Sequence, residues 1–176
     1  LERGWLSANN TLLFDGEDAT LVDAGYVRHA AQTLALVDHA LAGRRLGWLI
    51  NTHCHSDHMG GNASVQTRYG CRTSIPAGEA PLIDRWHPRE LLLDYADQSA
   101  DRFRYDDTFE DGDVIALGGR DWQVVGTPGH DLHAVVFFEP ESRVLISGDA
   151  LWHNGFGVVF GALMGRDAAF DEAREA

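Results

Sequence analysis

Leu46-Gly47-Trp48-Leu49-Ile50 reads as a buried strand, and it runs straight into Thr52-His53-Cys54-His55-Ser56-Asp57-His58-Met59-Gly60-Gly61-Asn62. That join constrains the chain more than any other feature. A strand that has to be buried delivers four metal-capable side chains, His53, His55, Asp57 and His58, within a six-residue span just past its C-terminal end. His53 and His55 are two apart, so an extended backbone points both the same way. At Asp57 and His58 the chain turns into a helix. Imidazole and carboxylate together suit zinc, and also iron or manganese. The helical His-Glu-x-x-His pattern of metalloproteases is absent. Exposed polar loops seldom gather ligands this densely without chemistry.

Two later turns repeat the arrangement. Gly126-Thr127-Pro128-Gly129-His130 ends one strand and Ser147-Gly148-Asp149 ends another. Each places a ligand-type side chain just past a strand end, with glycines that let the backbone turn sharply. Taken singly, His130 would read as a structural histidine about as readily as a ligand, and Asp149 as a turn residue. Their shared context with the first cluster makes both candidates.

Around these turns the pattern is mixed. Leu12–Phe14 and Thr20–Val22, separated by Asp15-Gly16-Glu17-Asp18, predict a hairpin. Residues 28–42 predict an amphipathic helix closed by Gly43, and residues 62–69 a second helix. Cys71–Ile75 reads as a strand. Pro76 and Pro81 bracket a turn, and residues 82–101 read as a charged helical stretch. Val114–Leu117, Trp122–Val125, Ala134–Phe138 and Val144–Ser147 read as strands, residues 150–165 as an apolar, Gly-rich loop, and a helix is expected from near Ala168. Hairpins mixed with crossovers imply sheets packed together with helices outside.

Composition narrows the function. A chain of 176 residues suits one domain, here expected over residues 1–176. The sequence starts at Leu1 and stops at Ala176 inside what reads as a young helix, so both ends look cut. Lys+Arg total 14 against 27 Asp+Glu, a net charge of -13 that disfavours nucleic-acid or membrane-surface partners. All the basic residues are Arg, which excludes Schiff-base chemistry by a lysine of this chain. No apolar run approaches the ~20 residues of a membrane span. Two cysteines, Cys54 and Cys71, make no disulfide framework, and the location is expected to be cytoplasmic.

With His53-x-His55-x-Asp57-His58, Thr127-Pro128-Gly129-His130 and Gly148-Asp149 in that order, the sequence resembles the metallo-β-lactamase superfamily of metal-dependent hydrolases. Leu21-Val22-Asp23-Ala24-Gly25 matches the family's strand-ending Asp-x-Gly type motif. The resemblance runs from about Leu12 to Asp149. It implies an α/β fold, an αββα sandwich of two mixed sheets with outer helices, with the metals at one edge of the sheets and the C-terminal part missing. It implies two divalent ions, zinc before iron or manganese. His53, His55 and His130 match the first metal site, Asp57 and His58 the second, and Asp149 the carboxylate that bridges them. The family usually adds a later histidine to the second site, and none follows His153 here. Asp23 would brace the metal loops, or be a plain turn residue. His133 would pack or support a ligand from behind.

The residue set itself implies metal-assisted hydrolysis, in which metal-bound hydroxide attacks a polarised carbonyl and Asp57 or Asp149 orients it and takes its proton. Among the family's chemistries, β-lactamases proper usually lack the bridging aspartate. Quorum-signal lactonases often place a tyrosine beyond it, and no Tyr follows Tyr105. Glyoxalase II-like thioester hydrolases share the ligand set. The expected reaction is hydrolysis of a small ester, thioester or lactone, with Trp152, Phe156 and Phe160 facing the substrate or packing on the core, and His153 binding substrate, donating a proton to the leaving group or standing as a solvated loop residue. The alternatives are a mononuclear iron persulfide dioxygenase and a non-catalytic metal-binding module. Residues 82–107 cover the site, form a homodimer contact, or are a solvated face. Cys54 reads as a small buried hydrophobe, and His29, His39 and His87 as surface residues.

Overall fold

The computed structural model describes residue 1 and residues 8–94, 97–152 and 155–158. The chain opens with the expected hairpin, β1 (Thr11–Asp15) and β2 (Asp18–Val22), antiparallel in the register Thr11↔Val22. A short 3-10 turn leads into α1 (Ala30–Leu41), which returns the chain to β3 (Arg45–Ile50), parallel to β2. Next come α2 (Ser56–Met59), α3 (Asn62–Tyr69) and β4 (Arg72–Pro76), again parallel. A 3-10 turn, Ala77–Glu79, and α4 (Ala80–Arg85) precede β5 (Asp107–Phe109), parallel to β4. These strands form a mixed sheet ordered β1-β2-β3-β4-β5.

The second sheet is an antiparallel meander of β6 (Val114–Leu117), β7 (Arg120–Gly126), β8 (Val135–Glu139) and β9 (Val144–Ile146). A hairpin of β10 (Leu151–Trp152) and β11 (Gly155–Phe156) follows.

Two apolar layers hold this together. Ala19, Leu21, Leu46 and Leu49 of the first sheet pack against Val37 and Leu41 of α1 and Val65 of α3. Leu46 and Leu49 share this side, against strict alternation, because the β2–β3 register skips Gly47 as a bulge. The opposite face, through Val22 and Ile50, meets Leu117, Trp122, Val124, Val135 and Phe137 of the second sheet. Each fully buried Leu or Phe here contributes about 1.5–3 kcal/mol.

Strand direction then positions the functional turns. In the first sheet β2, β3 and β4 run parallel with Val22 beside Ile50 and Ile50 beside Ser74, so their C-terminal ends lie along one edge. In the second sheet β7 and β9 both run antiparallel to β8, so their C-terminal ends also share an edge. The Val135 N–H donates to the Thr52 carbonyl at 3.0 Å, joining the two edges.

Three expectations are corrected. The charged stretch 82–101 is not one helix: α4 stops at Arg85, Trp86 adopts a left-handed φ of 48°, and Pro88 follows. Nor is 82–107 a merely solvated face, because Leu91, Leu93 and Phe103 pack with Cys54, Met59, Ile75 and Ile83 in a third cluster, and β5 extends the sheet. Residues 150–165 are not all loop, since β10 and β11 lie within them. The helix expected from near Ala168, and Phe160, lie outside the described residues.

Candidate metal centre

The shared edge brings together every residue that the sequence marked as a metal ligand. His53 follows β3 fully buried, and His55 caps the start of α2, whose single turn carries Asp57 and His58. His130 comes from the turn after β7 and Asp149 from the turn after β9. The Nε2 atom of His53 and the Nδ1 atom of His55 are 3.0 Å apart, and that Nδ1 lies 2.9 Å from Nε2 of His130. Asp149 spans the other side, with Oδ1 3.3 Å from Nε2 of His58 and Oδ2 3.4 Å from Nε2 of His130. Asp57 stands further out, its Oδ2 3.8 Å from Nε2 of His58. Two overlapping donor groups result, His53/His55/His130 and His53/His58/Asp149, each with ligand atoms close enough to hold one ion.

The far side of each ring is anchored. Asp23, at a left-handed φ of 59°, accepts on Oδ1 from the Thr52 N–H at 2.9 Å and the Asn51 amide at 3.3 Å. Its Oδ2 accepts from the Thr52 hydroxyl and from Nδ1 of His58, both at 2.9 Å. The Thr52 hydroxyl, committed as donor to Asp23, is the acceptor for Nδ1 of His53 at 3.2 Å. Nδ1 of His130 donates to the Val158 carbonyl at 2.8 Å. Three imidazoles therefore turn Nε2 inward as a lone pair.

His58 provides the test of whether a cation fits. Its Nδ1–H is spent on Asp23, and its buried Nε2 has no hydrogen-bond partner among the described residues while facing the Asp149 carboxylate. A bare Nε2 facing a carboxylate in a buried space is costly unless a positive charge, a proton on the ring or a bound metal ion, lies between them. The electrostatics agree. Burial works against a charged His58, but Asp23, Asp149 and Asp57 outweigh it and hold its pKa well above the ordinary value. Burial, followed by the neighbouring imidazoles, pushes His53 well down, and burial takes His55 down to about 4, so both are neutral as ligands must be. The donor set fits divalent ions of the zinc type.

Gly148 is needed for close approach. A Cβ there would fall 2.8 Å from the Thr52 hydroxyl, and its φ is 47°. Gly61 plays the same part between α2 and α3, where a Cβ would lie 2.4 Å from the Ala24 carbonyl oxygen.

The remaining expectations divide. Asp23 lies directly behind the cluster. His133 does not face it: the residue is exposed, with its ring against Gly78. Trp152 sits in the hairpin three residues past Asp149 and is 51% exposed, so it is not packed on the core. His153 and the side chain of Phe156 lie outside the described residues. Cys54 is buried beside Met59 and Ile75, and burial pushes its thiol pKa well up. His39 and His87 are exposed, and His29 is half-buried. Residues 97–99 tie to α2 and to Tyr26: Gln98 accepts from the Ser56 hydroxyl and the Asp97 carbonyl from the Tyr26 hydroxyl. Sequence reasoning missed Thr52, Asn51, Glu79, Asp131 and the Val158 carbonyl. Only Asp131, beside His130, carried a local signal. No helix among the described residues is long and apolar enough to cross a membrane.

Comparison with known proteins places this geometry. The family model described as "Metallo-beta-lactamase superfamily" matches residues 3–174. A hydroxyacylglutathione hydrolase of Rhodospirillum rubrum is 32% identical over 144 residues, covering 74% of this chain and 48% of the relative. A protein of the same name from Synechococcus is 33% identical over 152 residues, covering 85% of this chain and 51% of the relative. The chain thus spans about half the length of these curated relatives. Among solved structures, the B3 metallo-beta-lactamase BLEG-1 superposes with a TM-score of 0.73 at 20% identity, covering 88% of this chain and 72% of that one, a likeness of fold.

Proposed function

The chain belongs to the metallo-beta-lactamase superfamily, and from that premise we propose that it is a binuclear metal-dependent hydrolase of small carboxylic thioesters, esters or lactones, thioesters foremost. The observation that carries the reading is the pair of donor groups that share His53, with Asp149 reaching His58 on one side and His130 on the other. Relatives named hydroxyacylglutathione hydrolase support the thioester class.

In this reading His53, His55 and His130 would hold one ion and Asp57 and His58 the other, with Asp149 within reach of His58 and His130. Zinc is the ion best suited to the donors, with iron or manganese next. Divalent ions there supply Lewis acidity, bringing the pKa of water toward about 7 and polarising a carbonyl. The protein's own part is positioning and proton handling. Asp23 and Thr52 keep the rings of His58 and His53 in register. Asp57, with its side chain 26% exposed, orients the attacking water and accepts its proton. Trp152 offers an apolar face to the acyl or thiol part of the substrate.

The test is elemental analysis of the full-length protein with a panel of thioester, ester, lactone and β-lactam substrates. Close to two zinc ions per chain and turnover of a thioester, ester or lactone support the reading. One iron per chain with oxygen uptake on a persulfide replaces it with a dioxygenase. A folded, metal-replete protein inert on the whole panel overturns it.

A further inference from the structure

His55 is the exception among the four imidazoles. His53, His58 and His130 turn Nε2 inward, with Nδ1 held by Thr52, Asp23 and the Val158 carbonyl. His55 turns Nδ1 inward, toward His53 and His130, and directs Nε2 away from the centre. There it meets Asp131, whose Oδ2 is 3.5 Å from Nε2. The Asp131 Oδ1 accepts the His133 N–H at 2.7 Å, closing a turn that sets the carboxylate's direction. Glu79, from the turn after β4, lies close enough for the Asp131 charge to add to burial in raising its pKa.

Glu79 is 2% exposed, and its Oε1 accepts the Cys54 N–H at 3.1 Å. It therefore grips the backbone between His53 and His55 from beside Asp131, which lies in the turn after β7. The His133 ring lies against Gly78, where a Cβ would meet its Nδ1 at 2.2 Å, and docks the same two turns together.

We propose that Asp131, held in place by the His133 N–H, is the positioning residue that fixes the tautomer and ring orientation of His55, so that Nδ1 rather than Nε2 faces the cation. The inference rests on the reading of His55 as a metal ligand. It also assigns the part that His133 plays, as backbone donor to Asp131 and as a spacer against Gly78.

The experiment uses full-length protein, titrated with cobalt(II) chloride under chelator competition and followed by the visible cobalt absorption, with the histidine ring nitrogens of the zinc form observed by NMR. Asp131→Ala should weaken cobalt binding ~10–100-fold, the range seen when an outer partner of a metal-bound histidine is lost. It should also alter the visible bands and the His55 ring signals. Asp131→Asn, which keeps an acceptor and loses the charge, should fall between Asp131→Ala and wild type. A purely structural part for Asp131 would lower thermal stability and leave the cobalt bands and ring signals unmoved, and that result overturns the proposal. Should Asp131→Ala not fold, Asp131→Asn decides alone, since wild-type affinity and spectrum there are equally fatal. A wild-type protein that takes up no cobalt overturns instead the metal-site reading beneath it.

Discussion

Nδ1 of His58 lies 2.9 Å from Oδ2 of Asp23, both side chains almost wholly buried, across 35 residues of sequence. This pair ties the end of β2 to the helix that carries the second donor group. The Asp23 carboxylate holds four donors, so Asp23→Ala strands the Thr52 N–H and Nδ1 of His58 in a buried space. Each stranded group costs ~1–3 kcal/mol. The variant should lose about 3 kcal/mol in urea unfolding and bind zinc more weakly. Wild-type values for both would show that the network is incidental.

Asp149 touches both donor groups and lies in a turn with 21% side-chain exposure. Asp149→Ala, like His53→Ala, should reduce hydrolysis to background while the far-ultraviolet circular dichroism stays that of wild type. Metal content should fall with it. Undiminished turnover by the metal-replete variant would contradict the assigned site.

Trp152 is half exposed, so truncating it should change stability by no more than about 0.5 kcal/mol. If its face receives substrate, Trp152→Ala raises KM several-fold with a smaller change in kcat, read from steady-state kinetics on the best thioester. An unaltered KM would remove it from the substrate wall.

Glu139, at the end of β8, accepts from the Ser142 hydroxyl, the Ser142 and Glu141 N–H groups and Arg120. The Ser142 hydroxyl, then these backbone donors and Arg120, hold its carboxyl down to about 2 from an ordinary 4.5. A depressed folded pKa stabilises above the unfolded value and loses that contribution as protons bind. Glu139→Gln should therefore lower the urea midpoint at neutral pH, with the gap to wild type narrowing between pH 4.5 and about 2. A gap independent of pH would mean that the charge plays no part.

Much of this was legible because it is local. The β1–β2 hairpin, α1, β3, α3 and the strands β6 to β9 follow from turn residues and periodicity within a few positions. His53, His55, Asp57 and His58 announce themselves by spacing, and His130 and Asp149 by strand-ending turns. The stretch 82–101 misled because its alternating charges suit a solvated helix, whereas Leu91, Leu93 and Phe103 are drawn under α2 by burial. Glu79 gave no signal, since a lone glutamate after a proline-flanked turn has nothing local to mark its partner.

The residue order alone determined which side chains can bind a cation and that each follows a strand, because those are properties of neighbours in the chain. Only the tertiary structure decided that the turns meet. Parallel β2, β3 and β4 and the shared direction of β7 and β9 bring distant strand ends to one edge. It also decided which nitrogen each ring presents, because a tautomer is chosen by the far-side partner: Asp23, Thr52, Asp131 or the Val158 carbonyl. Those partners arrive through packing of the two sheets, and no local pattern encodes them.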